Sequence, residues 1–159
     1  MNSSIKVMKA QYFISNSSLW PSQDELTLLQ NWDACFFPSP WSLTQWLDLS
    51  HEKDYFLVTC SFGFALFRLS PLENLAHLLK ILILPEKRTQ GLGHQLFQFS
   101  LDELKRLNFE RVYLEVEEDN ICAQKLYERF GFKKLHLIKD FYGHERHAFS
   151  MELILSISV

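Results

Sequence analysis

Apolar residues recur along this chain with two different periods. From Gly91 to Leu107, Leu92, Leu96, Phe97, Leu101, Leu104 and Leu107 return about every 3.6 residues, with Asp102, Glu103, Lys105 and Arg106 interleaved. That spacing predicts a long amphipathic helix. From Arg111 to Glu117 the period falls to two. Val112, Leu114 and Val116 share one face, Tyr113, Glu115 and Glu117 the other, as in a half-buried strand. The most apolar stretch, Leu75 to Leu84, holds His77 and Lys80 and then meets Pro85. It is too short and too interrupted to cross a bilayer, so it reads as a buried strand over Leu78 to Leu84.

Local signals fill in the remaining elements. A short first strand is expected within Ile5 to Ile14. Ser22, followed three residues later by Glu25, has the form of a capping box for a helix ending near Cys35, with Leu26, Leu29 and Trp32 inward. Pro38 and Pro40 force a loop after Phe37, and Ser42 is placed to cap a second short helix through Leu49. Tyr55 to Thr59 and Phe64 to Leu69 read as strands joined by a turn. Asn120 caps a helix with Ala123, Leu126 and Phe130 inward, and Gly131 stops it. Strands near Phe132 to Ile138 and Arg146 to Ile154 close the chain around a turn at Gly143. The order predicts an α/β fold whose Leu78–Glu117 segment is a parallel crossover.

Composition narrows the class. The 159 residues are 47% hydrophobic and 22% charged, which fits one globular domain rather than a disordered chain. The net charge of −3 and the absence of a Lys/Arg run argue against nucleic acid as a direct partner. Three scattered cysteines, Cys35, Cys60 and Cys122, without a Cys-x-x-Cys pair, point away from a disulfide scaffold or a structural zinc site. A reducing cytoplasm is the expected location, with no membrane partner. The His144-x-x-His147 pair reads as a polar hairpin rather than a metal site.

The chemistry concentrates in Arg88-Thr89-Gln90-Gly91-Leu92-Gly93-His94, between a strand and a helix. Glycines let backbone approach a ligand, and first-turn N–H groups attract phosphate. A Walker loop is excluded because Gly93 is followed by His94 and Gln95, not Lys and Ser/Thr. A Rossmann fingerprint is excluded because Leu96 stands where the third glycine belongs. The short motif by itself leaves a phosphate cradle and an ordinary glycine turn equally open.

Arg88-x-x-Gly91-x-Gly93 after an apolar strand resembles the acetyl-CoA signature of the GCN5-related N-acetyltransferase (GNAT) family. Leu114-Glu115-Val116, Asn120 and Ala123 to Phe132 resemble its remaining motifs, in order and at its spacing. Within the family the pattern is most similar to the RimI type, which acetylates a ribosomal-protein alanine. The resemblance implies an α/β fold with a mixed central sheet, splayed parallel strands and about four flanking helices, in a single domain over residues 1–159. It implies acetyl-CoA as cosubstrate, without a metal. Ile81, Leu82 and Ile83 would offer backbone to the pantetheine arm, Thr89, Gln90, Gly91, Leu92, Gly93 and His94 would hold the pyrophosphate, and Asn120 would contact the cofactor. Glu115 would be the general base and Tyr127 the general acid.

The implied acceptor is a protein or peptide N-terminus, ribosomal in the first instance, met by a monomer or weak dimer. The acidic run Glu115, Glu117, Glu118 and Asp119 would attract a basic peptide. Two alternatives stay open: a small-molecule amine as acceptor, and a CoA-binding module without turnover. Several features depart from the RimI pattern. Phe37-Pro38-Ser39-Pro40-Trp41-Ser42 stretches a segment that helps form the acceptor side, Gly143-His144-Glu145 replaces a longer loop, His94 stands where a basic residue is common, and Lys80 interrupts the cofactor strand. The chain also carries about a dozen more residues ahead of the pattern.

Overall fold

Two serines start the first two helices by the same device. Before α1 (Gln23–Phe36), the Ser22 hydroxyl accepts from the Glu25 amide while the Glu25 carboxylate accepts from the Ser22 amide at 2.8 Å. Before α2 (Leu43–Asp48), Ser42 and Gln45 repeat the exchange, again with a 2.8 Å return bond. Each box satisfies amides that the helix itself cannot. The coordinates are a computed structural model and describe residues 9–15, 19–52 and 54–155.

Two longer-range helices follow, α3 (Leu92–Arg106) and α4 (Ile121–Arg129). The strands are β1 (Gln11–Ile14), β2 (Tyr55–Cys60), β3 (Gly63–Ser70), β4 (Leu75–Ile83), β5 (Arg111–Glu117), β6 (Lys133–Ile138) and β7 (Ala148–Ile154). Of the expected first strand, residues 11–14 are in β1, and residues 5–8 lie outside the described residues. The strands form one sheet in the order β1-β2-β3-β4-β5-β7-β6. Pairing is antiparallel for β1/β2, β5/β7 and β6/β7 but parallel for β4/β5, as the crossover through α3 requires. The parallel register runs from Leu75 opposite Arg111 to Leu78 opposite Leu114, and each strand continues past it. The architecture is the expected mixed α/β sheet with flanking helices.

The chain packs as two compact units. One comprises the described residues up to 66 together with 80–100, the other residues 67–79 together with those from 101 onward. In the first, Leu26, Leu29, Trp46, Phe56 and Phe64 are buried, and the Trp46 and Phe64 rings meet edge to face at 5.3 Å. In the second, Val112, Leu114, Val116, Tyr127, Phe132 and Met151 are buried. Each such side chain removed from water contributes about 1.5–3 kcal/mol.

Two helix faces differ from the periodic expectation. On α1 Trp32 is only half-buried, and the fully buried neighbour is Asp33. On α4 the buried residues are Gln124 and Tyr127, while Ala123 and Leu126, and Phe130 at the helix end, are half-buried. Both departures have a hydrogen-bonding cause. The Gln124 side-chain amide donates to the carbonyls of Glu117 (3.1 Å) and Glu118 (2.7 Å), so a polar side chain is satisfied on the buried face of α4. Asp33 is drawn inward by donors described below.

Candidate active site

The glycine-bearing loop belongs to the first unit. Thr89 and Gly91 both have left-handed backbone, with φ of 60° and 74°. Such residues fold successive N–H groups toward one side and make a concavity suited to an anion. A Cβ on Gly91 would meet nothing within 4 Å, so glycine is required there for its backbone conformation, not for lack of room. The internal ladder of α3 begins with the Gln95 amide donating to the Gly91 carbonyl at 3.1 Å, and the amides ahead of it point out of the helix end. No acidic side chain lies in that first turn. Side chains brace the loop from behind: Arg88 Nε donates to the Ile83 carbonyl at 2.9 Å, and Gln90 Nε2 to the Glu86 carbonyl at 3.2 Å. Leu82 is buried, and Ile81 and Ile83 are half-buried, so β4 presents the latter pair on one face. This is an open, electropositive cradle on a fifteen-residue helix, and its residue types fit a pyrophosphate.

The two sequence features that interrupt the family pattern in this unit turn out to be one. Lys80, inside β4, carries its ammonium to Asp33 Oδ1 at 2.7 Å and to the Ser39 carbonyl at 3.5 Å. Its Nζ lies 4.5 Å from the Phe37 ring centroid and 5.1 Å from that of Trp41. The other Asp33 oxygen accepts from the Trp41 amide at 2.8 Å and from Trp46 Nε1 at 3.0 Å. The lysine that breaks the apolar strand therefore secures the lengthened Phe37–Ser42 segment. Burial pulls the Lys80 ammonium below the usual lysine range, and the Asp33 carboxylate opposes that shift.

Glu115 belongs to the second unit. On β5 it shares the half-buried face with Tyr113 and Glu117, while Val112, Leu114 and Val116 are buried on the other. The period-two reading of this strand holds residue for residue. Glu115 Oε2 lies 2.7 Å from His77 Nε2, and its backbone carbonyl accepts from the Tyr142 hydroxyl at 3.2 Å. Next on the face, Glu117 is held by a bidentate pair with Arg146, at 2.7 and 3.0 Å, which keeps its carboxyl below the usual range. The acidic run therefore carries less free negative charge than its sequence implies.

Tyr127 is fully buried on α4 and packs on Phe132, with ring centroids 5.7 Å apart. Burial pushes its phenol well above the ordinary tyrosine range, and the nearby Tyr142 adds to the effect. Burial, with the fields of Glu115 and Glu117 behind it, pushes the Tyr142 phenol up to about 12, while Arg146 works against it. Both hydroxyls therefore keep their protons across the neutral range. Tyr142 donates to the backbone carbonyl of Glu115, and its charge, were it to ionise, would hold the Tyr127 phenol higher still. Asn120 caps α4, its side-chain oxygen accepting from the Ala123 amide at 3.2 Å. His147 Nδ1 accepts from the Asp140 amide at 3.0 Å, which commits that histidine to the hairpin before β7.

Sequence reasoning missed the partners of His77, Asp33 and Arg146 and the bond from Tyr142 to the Glu115 backbone. His77 left a trace as a polar residue inside the apolar stretch Leu75–Leu84, and Asp33 as a charged residue beside the apolar stripe of α1; their partners depend on which elements the fold brings together.

The sheet order, the loop at the start of α3 and the polar face of β5 are those of a mixed α/β fold with an anion-binding helix start. The acetyltransferase (GNAT) family model matches residues 20–132, and the chain belongs to that family. An N-alpha-acetyltransferase from Sulfurisphaera tokodaii is 33% identical over 99 residues, covering 61% of this chain and 59% of that protein. The chain thus spans about three fifths of the length of the archaeal relatives it matches. The ribosomal protein bS18 alanine N-acetyltransferase of Escherichia coli is 34% identical over 67 residues, 42% of this chain and 45% of that one. The crystal structure of the ribosomal-protein-S18-alanine N-acetyltransferase from Escherichia coli shares the fold, with a TM-score of 0.76 at 22% identity over 95% of this chain and 97% of that one.

Proposed function

We propose that this chain is an acetyl-CoA-dependent N-acetyltransferase whose acceptor is the N-terminal α-amine of a protein, with a ribosomal protein as the first candidate. The carrying observation is its sequence likeness to N-alpha-acetyltransferases, within a family match that crosses both compact units. That continuity supports reading the chain as a single catalytic domain. Three free thiols, Cys35, Cys60 and Cys122, support a cytoplasmic setting. Among the described residues no helix is long and apolar enough to cross a membrane.

Acetyl-CoA, when bound, supplies an activated thioester. Thr89 to His94 would hold its pyrophosphate, and Ile81 to Ile83 would present backbone to its arm, with Asn120 a further contact. Glu115 takes the proton that the acceptor nitrogen must lose. A protein α-amine has a pKa of about 7.7–8, against about 10.4 for lysine, so one carboxylate is enough for the task near neutrality. Tyr127, kept protonated by burial, holds the proton that a departing thiolate needs.

The test is product analysis by mass spectrometry with N-terminal peptides, lysine-bearing peptides with blocked N-termini, and a panel of small amines. Acetylation confined to free α-amines supports the reading, and turnover of the small amines alone overturns it.

A further inference from the structure

Glu115 is not an isolated carboxylate. The parallel register places His77 directly opposite Tyr113, one step along the strand from Glu115 on the same sheet face. The His77 ring meets Tyr113 edge-on, 5.2 Å between centroids, and continues diagonally to Glu115, where Nε2 comes within 2.7 Å of Oε2. Burial, with the Glu115 carboxylate behind it, pushes the Tyr113 phenol above the ordinary tyrosine range. The glutamate backbone is tied down by Tyr142. The imidazole is 33% exposed and the carboxylate 13%, so the pair lies at the surface of the face with the histidine outermost.

We propose that His77 is the positioning residue of the proton-transfer site. Its Nε2–H donates to Oε2 and fixes the side-chain rotamer of Glu115, leaving the other carboxylate oxygen to receive the proton from the acceptor nitrogen. The proton balance is simple: one N–H bond of the acceptor breaks, one O–H bond forms on Glu115, and the imidazole keeps its own proton. A glutamate has three side-chain torsions, and freezing them by a charge-assisted hydrogen bond is what a base needs to meet a nitrogen at bonding distance. This inference rests on the reading of Glu115 as the base.

The test is a double-mutant cycle on the full chain, with His77→Ala, His77→Gln, Glu115→Gln and His77→Ala/Glu115→Gln, measuring kcat, peptide KM and acetyl-CoA Kd. Misplacing a reacting group by about 1 Å costs about 10²-fold, so kcat of His77→Ala should fall by roughly 10–100-fold with KM and Kd nearly unchanged. Glutamine can present an amide donor to Oε2, so His77→Gln should recover a large part of that loss. In the Glu115→Gln background, His77→Ala should add little. Thermal unfolding of His77→Gln separates a folding defect from a catalytic one. A parental kcat in His77→Ala, beside an impaired Glu115→Gln, overturns the role of His77 and leaves Glu115 standing. A parental kcat in Glu115→Gln overturns the base assignment itself. Full additivity of the two changes shows that His77 does not act through Glu115 and overturns the inference.

Discussion

The ammonium of Lys80 and the carboxylate of Asp33 lie 2.7 Å apart with both side chains closed off from solvent, at 6% and 0% exposure. They join the middle of β4 to α1 and, through Trp41, Ser39 and Trp46, hold the segment between α1 and α2. Removing one member of such a pair strands a buried charge, at about 3–5 kcal/mol, whereas replacing both is often neutral. Lys80→Met and Asp33→Asn should each lose stability of that order. The double variant should recover most of it, as read from urea midpoints. Additive single losses would show that the pair is not coupled.

The same lysine has a pH signature. Its folded pKa is depressed by burial, so the folded state releases this proton before the unfolded state does. Below both pKa values the lysine is charged in both states and its burial penalty is fully present. As pH rises from the depressed folded pKa toward the unfolded value of about 10.4, the unfolded chain holds more protons and this contribution relaxes in favour of folding. Comparing stability against pH for the parent and the Asp33→Asn/Lys80→Met double variant should show that slope only in the parent.

Three glycines should respond differently to a side chain. Gly91→Val imposes a branched residue on a φ of +74°, in open space. The fold should lose roughly 1–3 kcal/mol, while CoA binding by calorimetry weakens further because backbone can no longer approach phosphate. Gly93→Ala meets only Ile83 at 3.5 Å, an ordinary contact, so the fold should tolerate it. Gly63→Ala would drive a Cβ into the Leu82 carbonyl and should unfold the first unit. Undiminished CoA affinity in Gly91→Val would mean that the cradle lies elsewhere.

Glu115→Gln keeps side-chain size and removes the base, so its rate should drop by roughly 10²–10⁴-fold. The defect should shrink as pH rises through the amine pKa, because solvent then takes the proton. Tyr127→Phe deletes one buried hydroxyl. Folding and CoA binding should survive, and the fall in kcat should persist at high pH. Rescue of Tyr127→Phe rather than Glu115→Gln by high pH would reverse the two roles.

Tyr142 offers a direct titration. With its phenol raised to about 12 against an ordinary value of 10.0, it stays protonated while the unfolded chain ionises. The stability that it contributes is full below pH about 10 and is lost as pH rises toward about 12. Tyr142→Phe should therefore flatten the alkaline limb of the stability curve and remove one late transition from the tyrosinate absorbance. An unchanged titration would place that phenol in water.

For a peptide acceptor, the charges on β5 set the expected preference. The favoured peptide should begin with a small residue followed by a basic one, and added salt should weaken its use more than CoA binding. Arg146 already offsets Glu117, so Arg146→Ala should strengthen the preference for basic peptides and steepen the salt dependence. Equal use of acidic and basic peptides would count against a role for the acidic run in acceptor choice.

What the sequence by itself determined was local. The capping box at Ser22, the caps at Ser42 and Asn120, the period-two face of β5 and the glycine-bearing turn before α3 all rest on interactions within one or two turns of chain, so residue order alone specifies them. The inward face of α4 escaped the periodic reading because Gln124 docks by donating to carbonyls, an energy that an apolar stripe does not record. Only the tertiary structure decided which charges meet: Lys80 with Asp33 across 47 residues, His77 with Glu115 across 38, and Arg146 with Glu117 across 29. Those pairings follow from strand register and loop path. A charged side chain's partner is set by which strand lies beside it, and that is settled only when the sheet assembles.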